Sequence, residues 1–383
     1  MSIFASHEYA STRKSLAQAS TLPAWVYTSP DWYEREVETI FRRGWLMAAR
    51  EDEIPEPGDY VRIDFFDEPL MVVRGRDGEI RTLSAACRHR GSELVVGSGN
   101  CRSFVCPYHG WTYSLSGELL SAPHMGLAEG FDVSECRLPE VRTETWGGFV
   151  AITFDDQALS LIESLGAFAE RFESYRLEEM KLVRKWTYTV KCNWKLWAEN
   201  SRETYHLAVG HRGSFERFRT GGYRHEIFNP HIEPKKFVVN SGPVGQASSA
   251  SEKPFFPELE TLTELDRGQV HYAFHYPHFI LNLYPDKLVY HQLFPDGPES
   301  LTMSYTSCFP PSTTALPDFE RKLEEDYYPA AEMAMAEDRA ICEKQQRGLR
   351  GRLTAAGRYS PQEEATVHAF ADYVLDRVLD NGA

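Results

Sequence analysis

The residues best suited to chemistry stand in two short runs, Cys87-Arg88-His89 and, after a gap of sixteen residues, Cys106-Pro107-Tyr108-His109. Each run offers one thiolate and one imidazole. That mixture suits a [2Fe–2S] cluster in which two cysteines hold one iron and two histidines the other, because neutral imidazoles leave less negative charge on the cluster and raise its potential. Gly91, Pro107 and Gly110 permit tight turns beside the ligands, and backbone N–H groups exposed in such turns can hydrogen-bond cluster sulfur. A structural zinc site uses the same ligand types, but zinc modules usually pair Cys-x-x-Cys with two spaced histidines, whereas here both loops are mixed. Cys101, Cys136, Cys192, Cys308 and Cys342 lack a partnered spacing and are expected as small buried or half-buried residues.

A second constellation lies in the run from Asn193 to His211. Read as a helix over Asn193–Val209, it places Glu203 and His206 three apart on one face. His211 follows five residues later, about 140° around a continuous helix. Gly210 supplies a natural helix end that lets the chain turn His211 back toward His206. Two histidines straddling a helix terminus can make half of an iron site, and the usual complement is a carboxylate, which leaves positions open for O2 and substrate. A carboxylate must then come from far along the chain. Asp338 shares a helical face with Ala334, Ile341 and Cys342, and a charge pointing into such surroundings needs a partner. Glu337 also has apolar neighbours, Met333 and Ile341, so the pattern leaves both open. A cluster that carries single electrons needs an acceptor, and an O2-activating iron is a suitable one.

The elements that must position these groups divide the chain into three. Residues 1–45 hold a helical stretch around Pro30–Gly44, with Trp32, Tyr33 and Phe41 at roughly helical spacing. Over 46–155 short alternating segments, Tyr60–Phe65, Leu70–Arg74 and Phe149–Phe154, predict a small antiparallel β domain. Over 156–383 a helical stretch at 159–183 precedes strands at Thr187–Val190, Phe237–Asn240, Val270–Tyr276, Phe279–Tyr284, Leu288–Leu293 and Leu301–Phe309. Helices at Asn193–Val209 and Asp318–Gly348 bracket most of that sheet, and Gln246–Ser251 is a loop. The class is α+β.

Composition narrows the partners. With 42% hydrophobic and 13% aromatic residues the chain can bury a substantial core, which excludes disorder. A net charge of −15 argues against nucleic acid or an anionic membrane, while leaving room for a basic electron-transfer protein or a cationic substrate. Met1–Leu22 lacks the apolar core of a signal peptide, no apolar run approaches a membrane span, and Asp380-Asn381-Gly382-Ala383 carries no lipidation signature. A cytoplasmic location is expected, where cysteines paired with histidines suggest metal rather than disulfides.

These motifs resemble the α subunits of Rieske non-haem iron oxygenases, the ring-hydroxylating oxygenase family. The resemblance runs from about Phe41 to Leu349, through Cys87-x-His89, Cys106-x-x-His109-Gly110-Trp111, Asn193-Trp194-Lys195 and Glu203-x-x-His206-x4-His211. It implies a small antiparallel β Rieske domain and a larger catalytic domain of helix-grip type. It implies iron ligands at His206, His211 and, from Glu337-Asp338 ahead of Gln345-Gln346-Arg347-Gly348-Leu349, Asp338. The family's acidic residue three before the first iron histidine bridges across a subunit boundary to a cluster histidine. It is most often Asp and here is Glu203. That departure, with Gly357-Arg358-Tyr359-Ser360-Pro361 and Val367-His368-Ala369-Phe370, looks like the subgroup acting on carnitine, choline and glycine betaine.

The resemblance also implies a working arrangement. A flavin and iron–sulfur reductase, fed by NAD(P)H and acting directly or through a ferredoxin, would reduce the cluster. The electron would then pass from His109 through Glu203 to His206 of a neighbouring subunit, most simply within a homotrimer. The chain would use O2 to hydroxylate or oxidatively N-demethylate a small substrate, with a quaternary amine set ahead of mono- or dioxygenation of an aromatic ring. Trp186, Trp197, Phe274, Tyr276 and Tyr290 are candidates to cage an ammonium group or to line an apolar slot, with ordinary core packing as the alternative. A Rieske electron carrier without oxygenase activity and a zinc-stabilised ligand-binding module are the rival classes; the pair His206 and His211 argues against the first, and a red-brown protein would exclude the second.

Overall fold

A computed structural model describes residues 2–211, 224–228, 237–243 and 254–379, with backbone alone for 224–228 and 237–243. The loop expected at Gln246–Ser251 and the chain end from Asp380 lie outside the described residues. The chain forms two compact units, one of Arg42–Ser164 and one joining Met1–Phe41 to Leu165–Ala383. The sequence places these divisions at 46 and 156.

The smaller unit is built from β1 (Leu46–Arg50), β2 (Asp59–Phe65), β3 (Glu68–Arg74), β4 (Ile80–Ser84), β5 (Ser98–Asn100), β6 (Phe104–Val105), β7 (Thr112–Tyr113), β8 (Leu119–Ser121), β9 (Glu140–Trp146) and β10 (Phe149–Thr153). Seven of them form an antiparallel sheet in the order β1-β10-β9-β4-β3-β2-β5, and β6-β7-β8 form a second, three-stranded one. Met71, Val73 and Leu83 from the large sheet pack with Phe104 and Tyr113 from the small one and with Trp111, just ahead of β7. Cys87 and Cys106 belong to that same buried cluster. The thiols therefore sit on a rigid apolar floor.

In the larger unit β11 (Lys181–Val190), β12 (Arg224–Phe228), β13 (Phe237–Pro243), β14 (Gln269–His275), β15 (Phe279–Tyr284), β16 (Lys287–Gly297) and β17 (Ser300–Phe309) make an antiparallel sheet. Its order is β11-β17-β16-β15-β14-β13-β12. The Tyr328–Leu349 helix packs against the Trp194–Asn200 helix and against β11. The α+β class expected from the sequence holds, with a small antiparallel β domain and a larger antiparallel sheet carrying helices.

Two caps fix where the key helices begin. Ser29 accepts from the Trp32 N–H at 3.3 Å, ahead of Pro30 in the first turn. Asn193 accepts from the Lys195 N–H at 3.0 Å. The two helices are then tied through Glu36, whose carboxylate is fully buried. Lys195 Nζ lies 2.7 Å from Oε1 and 2.9 Å from Oε2, and the indoles of Trp32 and Trp194 donate at 2.9 and 2.8 Å. Four donor contacts satisfy a charge that would otherwise cost several kcal/mol to bury.

Four expected helices change shape. The one predicted over Asn193–Val209 stops at Asn200 and resumes only at Leu207–Gly210, because Glu203 captures the N–H groups between them. Asp318–Gly348 divides into Phe319–Lys322, a wider turn at Leu323–Tyr327, and Tyr328–Leu349. In 159–183, Gly166 at φ +51° separates Leu161–Leu165 from Ala167–Arg171, and Lys181 already begins β11. Pro30–Gly44 is α-helical to Glu36 and continues as a wider turn to Phe41. Among the described residues no helix is long and apolar enough to cross a membrane.

Candidate metal centres

In the smaller unit the two ligand loops are built alike. The Gly91 N–H donates to the Cys87 carbonyl at 2.8 Å, and the Gly110 N–H to the Cys106 carbonyl at 3.0 Å. Both glycines occupy the left-handed region, at φ +72° and +73°. Each could accept a Cβ without collision, so glycine is required by conformation rather than by space. Cys87 and Cys106 are buried, His89 is half-buried and His109 exposed. The two histidine Nδ1 atoms face each other at 3.1 Å. Trp111 stacks on His89 at 4.8 Å and Tyr108 on His109 at 3.8 Å, which holds both rings in place.

Burial resists ionisation of Cys106. Hydrogen bonds from the Tyr108 backbone, the Cys87 thiol, the His109 backbone and Ser92 outweigh it and lower the thiol pKa. For His109, loss of solvent and the nearby His89 and Arg90 push the imidazole down, toward the neutral form that binds metal. These four donors do not gather three or more ligand atoms within 4.8 Å of one another, as another set in this chain does. A lone zinc ion, with bonds of about 2.0–2.3 Å, needs all its donors around one point. Two thiols inside and two imidazoles at the rim fit a two-iron cluster instead.

That other set is His206, His211 and Asp338, in the larger unit. The break after Asn200 assembles it. Glu203 Oε2 accepts from the N–H groups of Tyr205 and His206, while Oε1 lies 2.6 Å from His206 Nδ1. The pairing of Glu203 with His206 therefore arises from a capped turn, not from a shared helical face. The Leu207–Gly210 turn then ends as expected at Gly210. A Cβ on Gly210 would lie 2.6 Å from Ile341 Cδ1, so any larger residue would push the end of that side chain aside as this turn meets the Tyr328–Leu349 helix. That approach brings His211 Nε2 to 3.1 Å and His206 Nε2 to 3.4 Å from one atom, Asp338 Oδ1.

Glu337, left open by the sequence pattern, takes a different position. Its Oε2 is 2.9 Å from Nδ1 of His211, on the far side of the ring from Asp338. Asn200 donates to Asp338 Oδ1 at 2.9 Å. Burial works against charge on His206, but Asp338 and Glu203 overcome it and raise the imidazole to about 9. His211 is likewise raised, by Asp338 and Glu337 against burial. Asp338 is driven down despite burial by its two imidazoles. Two Nε2 atoms and a buried carboxylate on one side are donors of the kind a non-haem iron facial triad uses, and the three could hold a metal ion.

The three side chains line a cleft. Of the five candidate aromatics only Trp197 lines it. Trp186 packs on Tyr305 and Tyr328, and Tyr290 on Phe279. Phe274 and Tyr276 join Phe370 around the buried Arg202 guanidinium, at 4.6, 4.6 and 4.3 Å. The wall is made instead by Tyr272, Tyr284, Tyr305, Tyr327 and Phe255, with Asn282, Lys287 and His291. Cross-strand pairing explains it. Tyr272 faces Asn282, Tyr284 faces Lys287 and His291 faces Tyr305, whereas Tyr290 has the opposite parity on β16.

Comparison with known proteins defines the class. Residues 177–380 match the ring hydroxylating alpha subunit catalytic domain, and residues 44–132 match the Rieske [2Fe-2S] domain. The chain belongs to the ring-hydroxylating oxygenase α subunits and is a Rieske non-haem iron oxygenase. Such a subunit carries a [2Fe–2S] cluster and a mononuclear iron and receives its electrons from a reductase, so the electron-carrier and zinc-module readings fall.

Among its relatives is choline monooxygenase, chloroplastic, of Arabidopsis thaliana, 30% identical over 368 residues, covering 92% of this chain and 82% of that protein. The carnitine monooxygenase oxygenase subunit of Escherichia coli (strain K12) is 30% identical over 346 residues, covering 88% and 86%. A solved quaternary ammonium Rieske monooxygenase, described with carnitine oxidation and inter-subunit electron transfer, superposes with a TM-score of 0.79 at 27% identity, covering 94% and 95%. Naphthalene 1,2-dioxygenase from Rhodococcus sp. shares the fold, with a TM-score of 0.80 at 23% identity and full coverage of both chains.

Proposed function

We propose that this oxygenase acts on a quaternary ammonium compound, hydroxylating an N-methyl carbon or removing it oxidatively. The observation that carries the reading is the placement of Asp338 Oδ1 against both Nε2 atoms at the head of a cleft walled by tyrosines. Such rings suit a cationic head group, and relatives across the whole chain length are choline and carnitine monooxygenases.

In this reading Cys87, His89, Cys106 and His109 hold the cluster, and His206, His211 and Asp338 hold the iron. When bound, the cluster supplies single electrons and the iron supplies O2 activation. The protein's own part is orientation. Glu203 and Glu337 each engage an Nδ1, which fixes the tautomer and turns the Nε2 lone pair toward the metal position. Asn200 holds the carboxylate of Asp338 in place.

Glu203 also serves as the bridge toward a cluster histidine of a neighbouring subunit, which makes a homotrimer the working assembly. We assign 46–155 to the Rieske domain and 156–383 to the catalytic domain, with residues 1–45 as an N-terminal segment. The location we assign is the cytoplasm, and the electron donor is a flavin and iron–sulfur reductase using NAD(P)H, acting directly or through a ferredoxin. Turnover with such a reductase, O2 and a panel of quaternary amines and aromatic acids tests the reading. A demethylated or hydroxylated amine is expected. Ring hydroxylation of the aromatic acids, with the amines untouched, would sink it.

A further inference from the structure

Hydroxylation of an N-methyl carbon takes up O2, two electrons and two protons, and yields water and a hydroxyl on the carbon that bears the ammonium. Loss of that carbon then needs no further oxidant. The hydroxyl O–H bond breaks and its electron pair forms the C=O bond of formaldehyde. The C–N bond breaks in turn, and its pair stays on nitrogen. A base must take up the hydroxyl proton as this happens.

Most groups lining the cleft that could act so are engaged. Asp338 Oδ1 meets two imidazoles and Asn200, and both oxygens of Glu203 are held by its turn and by His206. His206 and His211 direct Nε2 at Asp338 and rest Nδ1 on Glu203 and Glu337. Lys287 is a cation whose Nζ donates to Asp286 Oδ1 at 3.0 Å. The hydroxyls of Tyr305 and Tyr327 bond each other at 2.8 Å, and burial pushes both phenols up, away from ionisation. His291 differs. It lines the cleft, is 4% exposed, and among the described residues neither ring nitrogen has a hydrogen-bond partner.

The sheet sets this ring on the cleft face. His291 stands opposite Ile280 on β15 and Tyr305 on β17, and both of those residues line the cleft. Asn282, two residues beyond Ile280, is a diagonal neighbour at roughly 7 Å, and its Oδ1 is likewise buried without a partner. Together they make a polar spot in a wall of aromatic rings. Buried polar atoms of this kind are costly unless a ligand meets them. Burial pushes the His291 imidazole down to about 4, with the nearby charge of Asp338 opposing it, so the ring is neutral and keeps one lone pair free. We propose that His291 is the general base of demethylation, taking the proton of the new hydroxyl as formaldehyde departs and passing it to the amine nitrogen. Oxygen and nitrogen share one carbon, so one ring nitrogen can serve both. The positive charge moves from ammonium to imidazolium and back to the amine, and the cleft holds a single substrate-derived cation throughout. The inference rests on the amine reading above and assigns the step that turns hydroxylation into demethylation.

The test bypasses oxygenation. The fully metal-loaded protein, without reductase or O2, is given (hydroxymethyl)trimethylammonium, and formaldehyde release is timed against buffer alone. The parent should speed release by roughly 100-fold or more, the range of a positioned base. His291→Gln keeps a buried polar side chain but no base, and its rate should fall to within about threefold of buffer. Iron content, cluster spectrum and calorimetric affinity for tetramethylammonium show whether the cleft of the variant is intact, and where iron or cluster colour is lost His291→Asn takes its place. A parent no faster than buffer, or a variant as fast as the parent, would overturn the base. If the parent then still demethylates tetramethylammonium with reductase and O2, the amine reading stands without it. Ring hydroxylation of aromatic acids with no amine attacked would remove the amine reading and the base together.

Discussion

Nδ1 of His211 lies 2.9 Å from Oε2 of Glu337, and this contact leaves Nε2 of the same ring directed at Asp338. Adjacent carboxylates on one helix thus take different tasks, one as proposed ligand and one behind a ligand. Asp338→Ala should lose the mononuclear iron and all turnover while the visible spectrum of the cluster is unchanged. Glu337→Gln should keep the iron but weaken its affinity by about 10- to 100-fold, read by competition with a chelator. Iron lost from the Glu337 variant and retained in the Asp338 variant would reverse the assignment.

Much of this site is legible in the sequence, for reasons that differ by residue. Cys87, His89, Cys106 and His109 are close in the chain, and each loop closes on a glycine four residues after its cysteine. Their grouping is local, so spacing reveals it. Asp338 meets His206 and His211 across more than a hundred residues, and helical periodicity only says that it faces inward. The choice over Glu337 depends on a close approach that Gly210 permits, which no periodicity encodes. The cleft was the least legible part. Strand alternation separates two faces without saying which one meets the substrate, so Tyr290 and His291 look equally eligible until the pairing of His291 with Tyr305 is known.

Glu36 and Lys195 form a fully buried ion pair that ties the Pro30–Glu36 helix to the helix leading into the proposed metal ligands. Lys195→Met should strand the Glu36 charge and cost about 3–5 kcal/mol, a fall in melting temperature on the order of 10 °C. Adding Glu36→Gln should restore much of that loss, because the amide oxygen still accepts an indole N–H and no buried charge remains. A melting temperature within about 2 °C of the parent in the single variant would show that the pair is dispensable.

Glu199 gives a pH signature. Burial raises its pKa from 4.5 to about 7, and the Tyr27 hydroxyl, which donates to Oε1 at 2.7 Å, together with Lys195 and Arg202, only partly offsets this. The folded state therefore holds a proton that the unfolded chain releases between pH 4.5 and 7. Stability should fall as pH rises through that window and level off above it. Glu199 borders a small cavity that water can enter, which softens the effect to about 1–2 kcal/mol. Glu199→Gln keeps an acceptor for Tyr27 and removes the titration. Thermal melts at pH 5 and pH 8 should show the variant gaining on the parent as pH rises, and a constant or shrinking difference would contradict the assignment.

Glu203 does two things with one carboxylate. Oε1 lies 2.6 Å from His206 Nδ1, and Oε2 accepts from the N–H groups of His206, at 3.0 Å, and of Tyr205. Glu203→Gln offers only one acceptor oxygen, so either the imidazole contact or the cap is lost. Both metals should remain bound, since Glu203 ligates neither. Turnover should nevertheless collapse if this residue also bridges to a cluster histidine of a neighbouring subunit, and rapid mixing with substrate and O2 should show a reduced cluster that fails to reoxidise. Glu203→Asp is the finer test. Its shorter side chain cannot span both the backbone cap and Nδ1, so activity should drop even though Asp is the commoner residue at this position in the family. A surface pair would be worth well under about 1 kcal/mol, but Glu203 is only 12% exposed and its partner is the proposed iron ligand itself. If Glu203→Gln reoxidises its cluster and turns over at the parental rate, the bridge between subunits must be abandoned, and Glu203 is then a helix-capping residue alone.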